Sequence, residues 1–479
     1  MTSDAASPLA RLLMPALRWQ PDTGFQHESA LVDQALALGV GGFIIFGGPA
    51  EEVRRLTSSL ASRVSRPLLL AADLERGAGQ QFAGLQELPP PRALGALSDL
   101  DAIRRAGAAT ARDALSVGIN WIFAPVADLD TEPDNPIVQT RAFGDDPAWV
   151  GACVAAWVEG CQDAGALACV KHFPGHGRTV TDSHAGLPLV SATRAELEED
   201  VRPFRAGIAA GVASCMTAHV AFPALDDTRL PATVSPRILA TLRSELGFAG
   251  AIVSDALIME GAFEGRSESA AYVQAVAAGV DVLLYPRDLG VAAAALSDGE
   301  RTGTLSPGRL SDAVRRVEAL LARQSARPAA VAPPATSSLG QELADRLLAA
   351  PPLRGTAPPL RQPLNVTLID DDIGGPYAAS PGDWIIRALE DEGVAFGSGG
   401  SSVVIAYAEP RAWKGRGGWG QESLARLREA APSADLILLF AHPRLAAAIP
   451  GRAPVVVAWH RQRLMQEAVA RWLMPRVRR

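Results

Sequence analysis

The chain has 479 residues, of which 48% are apolar and 20% charged, and a net charge of −7. A chain of this size favours two domains over a single core. The acidic balance, with no basic cluster, argues against nucleic acid as the main partner, and no apolar run approaches the ~20 residues that cross a bilayer.

From residue 1 to 325, short apolar runs alternate with amphipathic stretches. Strands are predicted at Leu12–Leu17, Phe43–Phe46, Leu68–Ala72, Trp121–Ala124, Ala168–Val170, Ser214–Ala218, Ile252–Val253 and Val282–Leu284. Helices are predicted at Glu28–Leu38, Asp101–Val117, Pro147–Gln162, Arg194–Ala210, Pro236–Leu246 and Ser267–Ala278. Gly39, Gly118 and Gly279 stand between helix and strand, where a left-handed C-cap belongs. Eight βα units predict an α/β fold, a (β/α)8 TIM-type barrel, with its substrate site at the C-terminal ends of the strands.

Ser325–Ser338 is rich in Pro, Ala and Ser and reads as a linker. The expected division is a catalytic barrel over 1–325, a Pro/Ala-rich linker region with a short helix over 326–363, and a smaller α/β sandwich domain over 364–479. In the last, strands are predicted at Val366–Ile369, Val403–Tyr407, Leu436–Phe440 and Val455–Ala458, and helices near Trp384–Asp391, Glu422–Ala431 and Arg461–Leu473. Asp370-Asp371-Asp372 reads more simply as a strand-end cap or solvated loop than as a metal site. Trp413–Gly420 (WKGRGGWG) reads as a surface turn and matches no phosphate-binding fingerprint.

Four cysteines, Cys153, Cys161, Cys169 and Cys215, include no C-x-x-C pair. They fit buried helix and strand positions, and neither structural zinc nor a disulfide is expected. The opening MTSDAASPLARLLMPALRW has no basic n-region and only a short, Pro-interrupted apolar run. It is unlike a secretory signal, so the cytoplasm is the expected location.

Lys171–His184 (KHFPGHGRTVTDSH) holds three of the seven histidines and one of only two lysines. A compact ammonium is kept where arginine is the chain's habit, and the two bind ligands differently. Gly175 and Gly177 let the backbone turn around His176. Asp182 stands two residues before His184 and suits orienting that imidazole for general acid/base work, although Asp-Ser-His also reads as a turn. Lys171 and His172 suit donation to hydroxyls; a satisfied core histidine is the other reading of His172. Asp255 ends the apolar run of Ala251–Met259 and suits a nucleophile, a base or a helix cap. His219, at another strand end, suits substrate contact or support of Asp255. His27, His442 and His460 read as structural.

Lys171–Gly177 (KHFPGHG), Asp182-Ser183-His184, Met216–His219 (MTAH), Pro231–Ser235 (PATVS) and Ser254–Leu257 (SDAL) resemble glycoside hydrolase family 3, most closely its β-N-acetylglucosaminidase branch. Phe123–Asp128 (FAPVAD) and Arg141–Pro147 (RAFGDDP) fit it too. The resemblance implies a retaining, exo-acting β-N-acetylglucosaminidase with a covalent intermediate on Asp255 and a His184/Asp182 acid/base pair. It also implies sugar contacts from Asp73, Arg141, Lys171, His172 and His219, a small carbohydrate as partner, no cofactor and a role in cell-wall turnover. One departure stands out: family members often carry an arginine that contacts the sugar where this chain has Gln81. A phosphorylase or a β-glucosidase of the same family remains open. Readings from other classes are a non-catalytic sugar-binding protein and a zinc hydrolase; the first lacks support because nucleophile and acid are both present, the second because neither H-x-H nor H-E-x-x-H occurs.

Overall fold

The computed structural model describes residues 8–180, 186–263, 265–325, 338–375 and 379–478. They form two compact units. The first comprises 1–86, 100–129 and 144–337; the second comprises 87–99, 130–143 and 338–479. The division does not follow chain order, since two segments that sequence alone puts inside the barrel belong by compactness to the second unit.

In the first unit the strands are β1 (Leu13–Met14), β2 (Ala16–Arg18), β3 (Gly42–Phe46), β4 (Leu69–Ala72), β5 (Trp121–Ile122), β6 (Leu167–Phe173), β7 (Ser214–Thr217), β8 (Ala251–Val253) and β9 (Leu283–Leu284). All pairings are parallel, in the order β2 to β8, and β1 pairs β9. A bridge from Val253 to Val282 joins β8 to β9 and closes the ring. β1 and β2 are one strand divided by Pro15, which has no N–H for the ladder but whose carbonyl still accepts from Ile44. Counted so, the ring has the eight strands expected.

The main helices around it are α1 (Ser29–Leu38), α2 (Ala50–Ser62), then, past α3 (Pro91–Ala96) of the second unit, α4 (Leu100–Ser116), α5 (Pro147–Asp163), α6 (Arg194–Ala209), α7 (Pro236–Ala240), α8 (Glu268–Ala278), α9 (Leu289–Arg301) and α10 (Pro307–Ser325). The helix expected over Pro236–Leu246 is five residues of α-helix followed by a π turn, Thr241–Glu245. Its Arg243 reaches down to Asp281, beside the start of β9, at 2.5 Å, while Arg309 from α10 reaches the other oxygen at 2.8 Å. Asp281 is wholly buried and also accepts from the Ile252 N–H at 2.9 Å. One carboxylate thus ties two helices to two strands at the N-terminal face, the face of the barrel that serves stability.

The second unit holds α11 (Leu339–Leu348), β10 (Leu360–Arg361), β11 (Asn365–Asp370), α12 (Trp384–Asp391), β12 (Ser402–Ala408), α13 (Gln421–Ala430), β13 (Leu436–Ala441), β14 (Val455–Val457), α14 (Arg463–Leu473) and β15 (Val477–Arg478). β11 to β14 form a parallel sheet in chain order. Side chains alternate along β12: Val403, Ile405 and Tyr407 pack with α11, α12 and α14, whereas Val404, Ala406 and Ala408 pack with Leu427 of α13. Burial on both faces is what a parallel sheet requires.

Asp370-Asp371-Asp372, at the end of β11, caps the strand end, with Asp370 accepting from the Asp372 N–H at 2.9 Å, and is paired with cations instead of being a solvated loop. Lys414 Nζ lies 2.6 Å from Asp372 and 3.3 Å from Asp371. Arg461 bridges Asp370 at 2.8 Å and Asp372 at 3.1 Å. The WKGRGGWG turn is therefore pinned through its lysine, and through Gly420 N–H donating to Asp371 at 3.0 Å.

Candidate active site

The polar side chains of the first unit gather at the C-terminal ends of the barrel strands. Lys171 and His172 are not beyond β6, as the sequence suggests, but within its last three residues. The β6–β7 register shifts between Val170 and Phe173. A local irregularity of this kind breaks the alternation that would send successive side chains to opposite faces. Both residues are buried and both find carboxylate partners.

Lys171 Nζ lies 2.7 Å from Asp73 and 2.8 Å from Glu75. Asp73 follows β4, so the contact skips β5 and spans the lumen. His172 Nδ1 donates to Asp128 at 2.7 Å, and the backbone N–H groups of His172 and His176 donate to the other oxygen of Asp128 at 3.1 and 2.7 Å. Asp128 is wholly buried. Burial alone would raise its pKa, but His172 and the His176 N–H outweigh that and hold it low. This single carboxylate fixes both the imidazole of His172 and the start of the glycine-flanked loop.

Within that loop, Gly177 lies so close to Leu129 that a Cβ would fall 1.9 Å from the Leu129 carbonyl oxygen. Only glycine fits without a backbone shift. His176 is buried, and its Nδ1 lies 2.8 Å from Thr179 Oγ1. Burial, with the neighbouring His172, pushes its pKa down to about 4, so it is neutral at pH 7. It braces the loop and does not carry charge. Asp182 and His184 lie outside the described residues.

Asp255 follows β8 and is half-buried. Its Oδ1 accepts from the Ala256 N–H at 2.7 Å, and no described residue hydrogen-bonds Oδ2. Burial would raise its pKa; His172, His219, the Ala256 N–H and Lys171 together bring it down to about 2. His219 Nε2 lies 3.2 Å from the Ala256 carbonyl, and its Nδ1 lies 2.8 Å from Thr233 Oγ1. His219 thus steadies the peptide that holds Asp255, which is one of the two roles its position suggests.

Asp73, Lys171, His172, His219 and Asp255 therefore share one charged mouth. Arg141 lies in the second unit, at the end of a short 3-10 turn, with Nη1 3.4 Å from the Ile137 carbonyl. Gln81 accepts from the Gly47 N–H at 3.1 Å. The sequence alone does not single out Glu75 or Thr233, and it marks Asp128 only as the last residue of the FAPVAD stretch. Among the described residues no group of three His, Cys, Asp or Glu side chains is arranged to hold a metal. All four cysteines are buried, on α5, β6 and β7, and none forms a disulfide. No described helix is long and apolar enough to cross a membrane.

The arrangement offers an ionised carboxylate with one open oxygen, flanked by cationic and hydrogen-bonding groups. The chain is also similar to known glycoside-acting enzymes. A beta-N-acetylglucosaminidase/beta-glucosidase from Cellulomonas fimi is 37% identical over 299 residues, which cover 60% of this chain and 52% of that protein. The chain thus matches about half the length of that relative. The structure of a glycoside hydrolase family 3 beta-N-acetylglucosaminidase from Paenibacillus sp. superposes with a TM-score of 0.84 at 26% identity, covering 100% of this chain and 97% of that one. A beta-glucoside phosphorylase shares the fold, with a TM-score of 0.84 at 22% identity over 99% of this chain and 92% of that one. The family model described as the glycosyl hydrolase family 3 N terminal domain matches residues 9–320, and the chain belongs to that family.

Proposed function

We propose that this chain is a retaining, exo-acting β-N-acetylglucosaminidase whose catalytic domain is the barrel over 1–325. The observation that carries the reading is Asp255: ionised, at a strand end, with one oxygen held by a backbone N–H and the other open. That oxygen attacks the anomeric carbon, forming a glycosyl ester as the bond to the leaving oxygen breaks. His184, as an imidazolium supported by Asp182, gives its proton to the leaving oxygen. The neutral imidazole then takes a proton from water, which attacks the anomeric carbon and frees the Asp255 carboxylate. Asp73, Lys171, His172 and His219 hold the sugar hydroxyls. A cytoplasmic setting and a role in cell-wall turnover fit the same reading.

Release of nitrophenol from aryl β-N-acetylglucosaminides and β-glucosides tests it, with a glycosyl group trapped on Asp255 as the decisive product. No turnover of either glycoside would sink the reading. A neutral imidazole base does not repel an anionic acceptor, so the assay is run with and without phosphate. Sugar 1-phosphate as the main product would replace hydrolysis with phosphorolysis.

A further inference from the structure

The mouth of the barrel holds one more charged group, which the proposed chemistry leaves unused. Arg18 ends β2 and pairs in register with Phe46 at the end of β3. The β3–β4 register sets Ile44 opposite Ala71, and two residues further on Phe46 falls opposite Asp73. Residues in register on parallel strands project to the same face. That face is the lumen, because Asp73 reaches Lys171 past β5. Around the ring the strands run β8, β9, β1/β2, β3, β4. Arg18 therefore stands between the strand leading to Asp255 and the strand leading to Asp73.

Its guanidinium is held in place. The guanidinium carbon lies 4.2 Å from the Phe46 ring centroid and 5.2 Å from that of Tyr285, and Nε donates to the Tyr285 hydroxyl at 2.8 Å. Tyr285 itself adopts φ 48°, a left-handed conformation that non-glycine residues keep where their surroundings demand it. Glu28 is engaged by the Arg18 backbone N–H, not by the guanidinium. Among the described residues no carboxylate pairs with Arg18, and its two outer amino groups carry no partner. The half-buried fork is thus braced by Phe46 and Tyr285, with Nη1 and Nη2 unengaged among the described residues. Gln81, where the family often has an arginine, is spent on Gly47 in the turn just after Phe46.

We propose that Arg18 is a specificity-determining residue that clamps an oxyanion at the barrel mouth. A planar guanidinium matches carboxylate and phosphate oxygens in pairs. The oxyanion comes either from an acidic substituent of the glycoside or from inorganic phosphate. The proposal rests on the glycosidase reading of the same site.

The test compares wild type, Arg18→Gln and Arg18→Lys on a neutral nitrophenyl β-N-acetylglucosaminide and on its carboxyl-substituted nitrophenyl counterpart, each with and without phosphate. If the glycoside brings the oxyanion, the ratio of kcat/KM for the acidic over the neutral substrate falls about tenfold in Arg18→Gln, the scale of one lost charge-assisted pair, and recovers in part in Arg18→Lys. If phosphate is the source, the yield of sugar 1-phosphate falls by that factor instead. An unchanged ratio together with unchanged phosphate dependence overturns the proposal. If wild type turns over no glycoside, the proposed function fails separately. The clamp is then judged by a saturable rise of Tm with inorganic phosphate or a hexuronic acid, lost in Arg18→Gln; no rise in wild type overturns it.

Discussion

Lys171 and Asp73 meet at 2.7 Å although β5 lies between the strands that lead to them. The same ammonium serves Glu75 at 2.8 Å. Replacing Lys171 by Met removes the ammonium that Asp73 and Glu75 share, which makes protonation of the pair easier. Lys171→Met is expected to lower kcat/KM on the order of 10²-fold, as misplacement of binding groups does. It should also add an ionisation to the pH–rate profile. A profile of unchanged shape would contradict the assignment.

Asp255→Asn removes the open carboxylate oxygen. Turnover should fall on the order of 10³-fold or more, as when a unit that acts as nucleophile is removed. Because the Asp255 pKa is brought down to about 2, the carboxylate is ionised at every pH at which a folded enzyme is ordinarily assayed. The acid limb of kcat/KM should therefore report another group, at an apparent pKa well above that value. An acid limb near pH 2 would assign it to Asp255 after all.

His176 supplies a pH dependence of stability. Its folded pKa of about 4 lies below the ordinary 6.5, so the unfolded chain binds more protons between those values. Stability from this group is present above pH 6.5 and is lost as pH falls toward 4. Asp113, raised by burial to about 6, acts with the opposite sign in the same window. The comparison is thus His176→Gln against its parent: Tm of the variant should fall less steeply from pH 6.5 to 4. Parallel curves would show that His176 does not titrate as described.

Asp128 and Asp281 are both wholly buried carboxylates, one at each face of the barrel. Asn at either position should cost about 3–5 kcal/mol, the scale for breaking a buried pair. Asp281→Asn should keep kcat/KM at low temperature within about twofold, since its partners Arg243 and Arg309 lie at the N-terminal face. Asp128→Asn should lose activity as well, because His172 and the His176 N–H both hang on it. Urea unfolding beside kinetics separates the two, and equal kinetic losses would argue against the division of roles.

Gly177→Ala places a Cβ 1.9 Å from the Leu129 carbonyl. The loop must shift, at a cost of about 1–3 kcal/mol. The activity loss should exceed what the fall in Tm predicts, because the loop leads toward Asp182 and His184.

Much of this was readable in the residues. The eight apolar runs became the eight barrel strands, and most are bounded by Gly, Pro or a charged residue, as at Gly42 and Gly47, Pro67 and Asp73, or Arg11 and Arg18. Pro15 was visible as an interruption, but not that its carbonyl would keep the ladder intact. Lys171 and His172 were found as chemistry; their place inside β6 was not, since periodicity does not show a register shift. Asp128 gave no local sign of its partner, which lies 44 residues away. Arg18 and Tyr285 are 267 residues apart and come together only by closure of the ring. Pairings of that range depend on strand order, which no local pattern encodes.

The chain's only lysines, Lys171 and Lys414, are 3% and 2% exposed at their side chains, and each bridges two carboxylates. Acylating reagents need a free, deprotonated amine, and neither ammonium offers one while its unit is closed. Each lysine is thus a built-in reporter: its rate of acylation reads how often the local structure opens. Lys171 reports on the barrel mouth and Lys414 on the turn held by Asp371 and Asp372, so one acylation time course followed by mass spectrometry records local opening in both units without any mutation.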